Sequence, residues 1–195
     1  MTTVKNDSFV RIHITSDIYQ RAMERAESLP ILPGSHRKED ANIVGCLGEV
    51  IFEKLLSDSE VPFTPLYTTK HDLRIVNGLS VEKTLEVKTK DRTVAPRPNY
   101  EATLPAYNHD HQIADYYGFV SLQRGRNSTA GIERFHSAWV VGVANRTIFD
   151  RHKKFWKAGQ QDPTNGTVFW TDCWNLYIHQ LAPIFYAINQ WKATD

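Results

Sequence analysis

The feature that most constrains this chain is a turn. Asn77-Gly78 lies between two runs whose polarity alternates residue by residue. Before it, Asp72, Arg74 and Val76 point one way and Leu73 and Ile75 the other. After it, across 80–90, Val81, Leu85 and Val87 oppose Glu82, Thr84, Glu86, Lys88 and Lys90. Period-two alternation is what a half-buried strand requires, and Asn-Gly supplies the positive φ of a two-residue hairpin turn. The rest of the chain must be arranged around the sheet that this hairpin begins.

The flanking segments predict both kinds of element. Residues 9–14 alternate as a short strand, and Thr15, Ser16 and Asp17 offer capping chemistry for a helix with Ile18, Ala22, Ala26 and Leu29 at helical spacing. Pro30 and Pro33-Gly34 end it. A second helix is predicted over 41–56, with Ile43, Leu47, Val50, Ile51 and Lys54 on one side. After the hairpin a short helix is expected near 104–114, then strands over 116–123 and 137–144. The tail from Arg146 holds four of the five tryptophans, which are expected in the core rather than as a base-stacking platform. Helices mixed with hairpin strands predict an α/β sandwich. A chain of 195 residues with 41% hydrophobic content is expected to be one domain, 1–195, with a core large enough to need no staples. Cys46 and Cys173 match no metal or redox spacing. The N-terminus has no apolar signal region, and no stretch approaches membrane-span length, so a soluble cytoplasmic protein is expected.

The hairpin also carries the chemistry. Glu86 and Lys88, two apart on a strand, emerge on one face with Val87 anchored between them. The turn brings Asp72 close to Glu86 across the ladder. Two like charges ~4 Å apart repel by about 4 kcal/mol at an effective dielectric of 20, and one lysine offsets this only in part. A hard divalent cation held by both carboxylates resolves it, and an oxygen-only donor set favours magnesium over zinc.

Aspartate on one strand followed by Glu-x-Lys on the next resembles the PD-(D/E)XK nucleases. Here the pattern reads His71-Asp72-Leu73-Arg74-Ile75 and Leu85-Glu86-Val87-Lys88-Thr89, with His71 where the family places proline. The family often adds an acid on the preceding helix, and Gly45-Cys46-Leu47-Gly48-Glu49 is similar to that element. Glu49 lies among Ala41, Gly45 and Gly48, and two glycines inside a helix suggest close approach to the strands. Gln112 and Tyr116 echo the Gln-xxx-Tyr element of the RecB-like branch, but Tyr116 is expected to begin a strand.

The resemblance covers roughly 41–144, a nuclease-like core, leaving an N-terminal helical extension and an aromatic C-terminal elaboration over 145–195. It implies a restriction-endonuclease-like mixed sheet flanked by helices, and metal-dependent hydrolysis of DNA, in all expectation by an endonuclease. Asp72 and Glu86 would hold Mg²⁺, for which Mn²⁺ would substitute, with help from the Val87 carbonyl and Glu49. Lys88 would position the attacking water. The alternative is a catalytically silent member of the fold that binds nucleic acid or protein.

Charge limits how DNA could be held. Lys and Arg number 23 against 22 Asp and Glu, a net charge of +1, so no global field draws the protein to a polyanion. Contacts must be local. Lys90 and Arg92 beside the motif are candidates, as are Lys153 and Lys154 in the run Arg151-His152-Lys153-Lys154-Phe155-Trp156-Lys157. His109-Asp110-His111 lacks a third spaced ligand and reads as surface. Cutting both strands of a duplex calls for two active sites, so a homodimer is the expected assembly.

Overall fold

A computed structural model describes residues 9–29, 39–66, 71–76, 81–106, 113–127 and 131–192. The chain is mixed α/β. A six-stranded sheet contains β1 (Val10–His13), β2 (Phe63–Pro65), β3 (Leu73–Val76), β4 (Glu82–Arg92), β6 (Tyr116–Arg124) and β7 (Phe135–Asn145) in the order β1-β7-β6-β4-β3-β2. All neighbours are antiparallel except β4 and β6. A three-stranded antiparallel sheet joins β5 (Glu101–Pro105), β9 (Cys173–Tyr177) and β8 (Lys154–Trp156), with β9 in the middle. The helices are α1 (Ser16–Glu27), α2 (Glu39–Asp58), α3 (Arg146–His152) and α4 (Ile184–Lys192). No helix among the described residues is long and apolar enough to cross a membrane.

The large sheet is buried on both faces, which is why β6 and β7 read as nearly continuous apolar runs. One face packs Leu73, Ile75, Leu85, Val87, Val120, Leu122 and Val140 against α1, α2 and α4. The other packs Tyr117, Phe119, Val141 and Ala144 against Ala102, Leu104 and Leu176 of the small sheet and Phe149 of α3. Between them the sheet bends. β6 pairs Phe119 with Gly142 and Val120 with Val140, leaving Val141 as an extra residue. Such a bulge sharpens twist and curls the sheet. Gly142 sits there at φ +144°, and a Cβ on it would meet the Ala182 carbonyl oxygen at 2.9 Å.

α2 is central, so its burial goes well beyond one stripe: Cys46, Leu47, Val50, Ile51, Phe52 and Leu56 are all inaccessible. α1 lies along its outer side, capped by the Thr15 side chain and burying Ile18, Ala22 and Ala26. The N-terminal segment is therefore more than a helical extension, since β1 forms the edge of the large sheet beside β7. The C-terminal segment is equally integral. Trp191 of α4 is buried in the first core and meets Tyr116 edge-on at 5.3 Å, and Trp156 is buried against Phe169. Trp170, by contrast, is exposed.

Three expectations need correction. Residues 101–105 form a strand, so the helix expected over 104–114 does not begin at Leu104; residues 107–112, with His109, His111 and Gln112, lie outside the described residues. Tyr116, by contrast, opens β6 as expected. The hairpin register pairs Val76 with Glu82, where a two-residue Asn-Gly turn would have paired Val76 with Leu79. Asn77 and Gly78 themselves lie outside the described residues. Val81, expected on the buried face with Leu85 and Val87, precedes β4 and is exposed.

Candidate active site

The site forms where β3 stops. Pairing between β3 and β4 runs from Val76–Glu82 to Leu73–Leu85, so β4 continues from Glu86 without a β3 partner on that edge. Asp72 stands at the end of β3 and fills the gap: its Oδ2 accepts the Val87 amide at 2.7 Å. In a strand the carbonyl of a residue faces the same edge as its amide, so the Val87 carbonyl is turned toward Asp72 as well.

Leu85 and Val87 are anchored in the helix-side core, which throws Glu86 and Lys88 to the opposite face. Glu86 is buried, its Oε1 accepting from Lys88 Nζ at 2.6 Å while its Oε2 is buried with no hydrogen-bond partner. Glu49 arrives from α2, whose approach to β4 depends on Gly48, where a Cβ would stand 1.8 Å from Thr89 Oγ1. Gly45 is different. A Cβ there would meet nothing within 4 Å, so only one of the two helix glycines is demanded by close approach.

The three carboxyls sense one another. Burial, then the Glu86 charge, pushes Asp72 up to about 7, against the pull of Lys88 and the Val87 amide. Burial, then the Asp72 charge, pushes Glu49 up to about 7, with Arg25 opposing. Glu86 is raised by burial and by Glu49, with Lys88 holding it down. The sheet and α2 thus force acids together at a cost that a cation would relieve.

The oxygen donors and the orphaned Glu86 oxygen suit a hard divalent cation. At the same time, among the described residues no three His, Cys, Asp or Glu side chains already stand at ligand spacing. Protein cations occupy part of that space: Lys88 is on Glu86, and Arg25 Nη1 is 3.1 Å from Glu49 Oε2.

Arg25 and Glu53 are the residues that sequence reasoning missed. Arg25 Nη1 lies 2.7 Å from Glu53 Oε1, and Arg21 Nη2 lies 3.0 Å from Glu53 Oε2. Two arginines four apart on one helix and two glutamates four apart on the next were a readable signal of an antiparallel helix pair.

The candidate phosphate contacts have separate fates. Lys90 donates to Thr103 Oγ1 at 2.8 Å, and Arg92 donates to the Glu101 carbonyl at 2.6 Å and to Ser121 Oγ at 3.2 Å. Both tie the small sheet to the large one. Lys153 Nζ is 2.6 Å from Asp150 Oδ1 and lies over the rings of Phe149 and Trp174. Lys154 is exposed, its ammonium 3.8 Å from the centre of the Trp156 ring. Cys46 and Cys173 are buried, unlinked thiols.

No protein-family model and no curated protein sequence matches this chain.

Proposed function

We propose that this protein is a divalent-cation-dependent nuclease of the PD-(D/E)XK class, with a restriction-endonuclease-like core, that hydrolyses DNA phosphodiester bonds. The observation that carries this reading is the meeting of Asp72, Glu86 and Lys88 at the uncovered edge of β4, with Glu49 supplied by α2. The element order also supports it: a helix bearing Glu49, a strand preceded by Asp72, a strand bearing Glu86-Val87-Lys88, then a parallel neighbour in β6.

Asp72 and Glu86 would hold Mg²⁺ or Mn²⁺, with the Val87 carbonyl and Glu49 as further oxygen donors. When bound, such an ion supplies positive charge for a phosphodiester oxygen and lowers the pKa of a coordinated water. Lys88, released from Glu86, would orient the attacking water and donate to charge developing on the phosphate oxygens. Burial at the sheet edge strengthens each of these interactions.

A catalytically silent binding member of the same fold is the second reading. It is favoured by the absence, among the described residues, of three His, Cys, Asp or Glu side chains already grouped at ligand spacing. Incubation with supercoiled, linear and single-stranded DNA and with RNA, with Mg²⁺, Mn²⁺ or chelator, separates the two. The nuclease reading expects metal-dependent cleavage that Asp72→Asn abolishes, and nicked or linearised circles mark an endonuclease. Retention of every substrate under both metals, together with a melting temperature that neither metal raises, gives the silent reading its place. Sedimentation with and without duplex tests the expected homodimer.

A further inference from the structure

Resting on the nuclease reading, we propose that Arg25 of α1 is a positioning residue of the active site, holding Glu49 in its working orientation through a guanidinium anchored on Glu53. The geometry is specific. One nitrogen, Arg25 Nη1, stands between Glu49 Oε2 at 3.1 Å and Glu53 Oε1 at 2.7 Å. Glu53 is fixed in turn, because its other oxygen meets Arg21 at 3.0 Å and its side chain is only 3% exposed. Arg25 itself is 10% exposed, so this is an enclosed contact rather than a solvated surface pair.

Packing alone does not ask for this arrangement. A buried ion pair is often no more stabilising than apolar side chains of similar volume, because desolvation offsets the attraction. At this place the helix pair α1–α2 could bury apolar side chains, of the kind α2 buries elsewhere along its length with Leu47, Val50 and Ile51. What the ion pairs provide is direction. Arg25 Nη1 donates a directional hydrogen bond to Glu49 Oε2, which an apolar contact cannot make, while its close charge contact with Glu53 Oε1 holds the guanidinium in place. The site is thus flanked by two cations, Lys88 on the strand side and Arg25 on the helix side, and the first helix becomes part of the catalytic apparatus.

The experiment separates positioning from support. Mg²⁺ affinity is read from the metal-dependent rise in melting temperature, without DNA, and cleavage from single turnovers at saturating Mg²⁺ and DNA. Arg25→Gln removes a positive charge beside the acids, so its half-saturating Mg²⁺ concentration should stay level or fall. Its cleavage should slow by ~10-fold or more, since small displacements of catalytic groups cost up to ~10²-fold. Arg25→Lys, which keeps the charge, should recover part of the rate. Should Arg25→Gln not fold because Glu53 is left buried with too little charge opposite it, Arg25→Gln combined with Glu53→Gln removes both and is read in the same way. Parent-like cleavage in these variants, or Mg²⁺ affinity and rate weakening together, overturns the inference while the nuclease reading stands. A parent that neither cleaves nor responds to Mg²⁺ overturns the nuclease reading and this inference with it.

Discussion

Gly48 and Thr89 meet so closely that a side chain on the glycine would occupy the threonine's place: a Cβ there would lie 1.8 Å from Thr89 Oγ1 and 2.9 Å from Thr89 Cβ. Gly48 precedes Glu49, and Thr89 follows Lys88. The contact therefore sets the distance between the helix acid and the Glu86-Val87-Lys88 strand. One missing methyl group is what lets α2 bring its carboxylate to the sheet edge.

The two helix glycines should consequently respond with opposite signs. Alanine is the better helix former by ~1 kcal/mol, and at Gly45 nothing opposes it, so Gly45→Ala should stabilise by up to ~1 kcal/mol. In a domain of this size that is a rise of ~2–4 °C in melting temperature. Gly48→Ala should instead destabilise by ~1–3 kcal/mol, the cost of overpacking a contact that cannot yield. Thermal and urea denaturation of both variants checks this. Equal effects would mean that α2 does not bear on β4 as described.

The raised carboxyls predict a pH dependence whose direction is fixed by linkage. An acid whose folded pKa lies above its unfolded value, ~4, favours folding while protonated and loses that contribution as pH rises toward the folded value. For Asp72 and Glu49, both near 7, the loss runs from about pH 4 to about 7 and is complete above. Asp72→Asn keeps an oxygen for the Val87 amide but cannot ionise. Without metal it should melt above the parent at pH 8 and converge with it near pH 4.5. Mg²⁺ should raise the parent's melting temperature most above pH 7 and leave the variant nearly unmoved. A variant less stable than the parent at pH 8 would show that the Asp72 charge is already well compensated.

Much of this was legible in the residues, and what was not has physical causes. Alternation at Leu73, Ile75, Leu85 and Val87 placed the hairpin, because each of these side chains is buried. It also placed Glu86 and Lys88 on one face, since period two admits no other result. The close approach of α2 could be inferred from its glycines, but not which glycine made it, because that depends on how the helix crosses β4. The hairpin register was misjudged: Asn-Gly is the strongest local turn signal, yet register follows the core-facing set, which pairs Leu73 with Leu85. The strand at 101–105 was missed because its partner, β9, lies far along the chain. Arg25 was missed for a related reason: the matched spacing of Arg21 and Arg25 with Glu49 and Glu53 was there to read, but local pattern does not reveal which helix covers another. Lys90 and Arg92 show the limit of reading charge as surface.

Those two residues should behave as structural ties. Arg92→Ala removes the contacts to the Glu101 carbonyl and Ser121 and the stacking over Tyr100, whose ring centre lies 5.2 Å away. Charged hydrogen bonds of this kind contribute ~1.5–3 kcal/mol each before compensation, so a loss of ~2–3 kcal/mol is expected in urea denaturation. The salt dependence of DNA affinity should remain that of the parent. A slope reduced by ~1 without loss of stability would instead identify Arg92 as a phosphate contact.

Lys88 and Lys154 divide catalysis from binding. Lys88 is enclosed and holds Glu86 at 2.6 Å, whereas Lys154 is exposed beside Trp156. Without metal, Lys88→Ala leaves the buried Glu86 carboxylate without its cation, so the variant should be less stable until Mg²⁺ is added. With Mg²⁺ present, single-turnover cleavage should fall by ~10²–10³-fold, the effect of removing one preorganised donor. DNA affinity, measured with Ca²⁺ in place of Mg²⁺, should change little, because one lysine accounts for about one phosphate's counterion release. Lys154→Ala should do the reverse, lowering the slope of log affinity against log salt by ~1 while leaving turnover at saturating DNA intact. Lys153 is a poorer probe, since its ion pair with Asp150 and its place over Phe149 and Trp174 would add a stability loss to any binding effect. If Lys88→Ala cleaves as fast as the parent, Glu86-Val87-Lys88 is not a catalytic motif, and the ion pair between Glu86 and Lys88 is only a buried crosslink within β4.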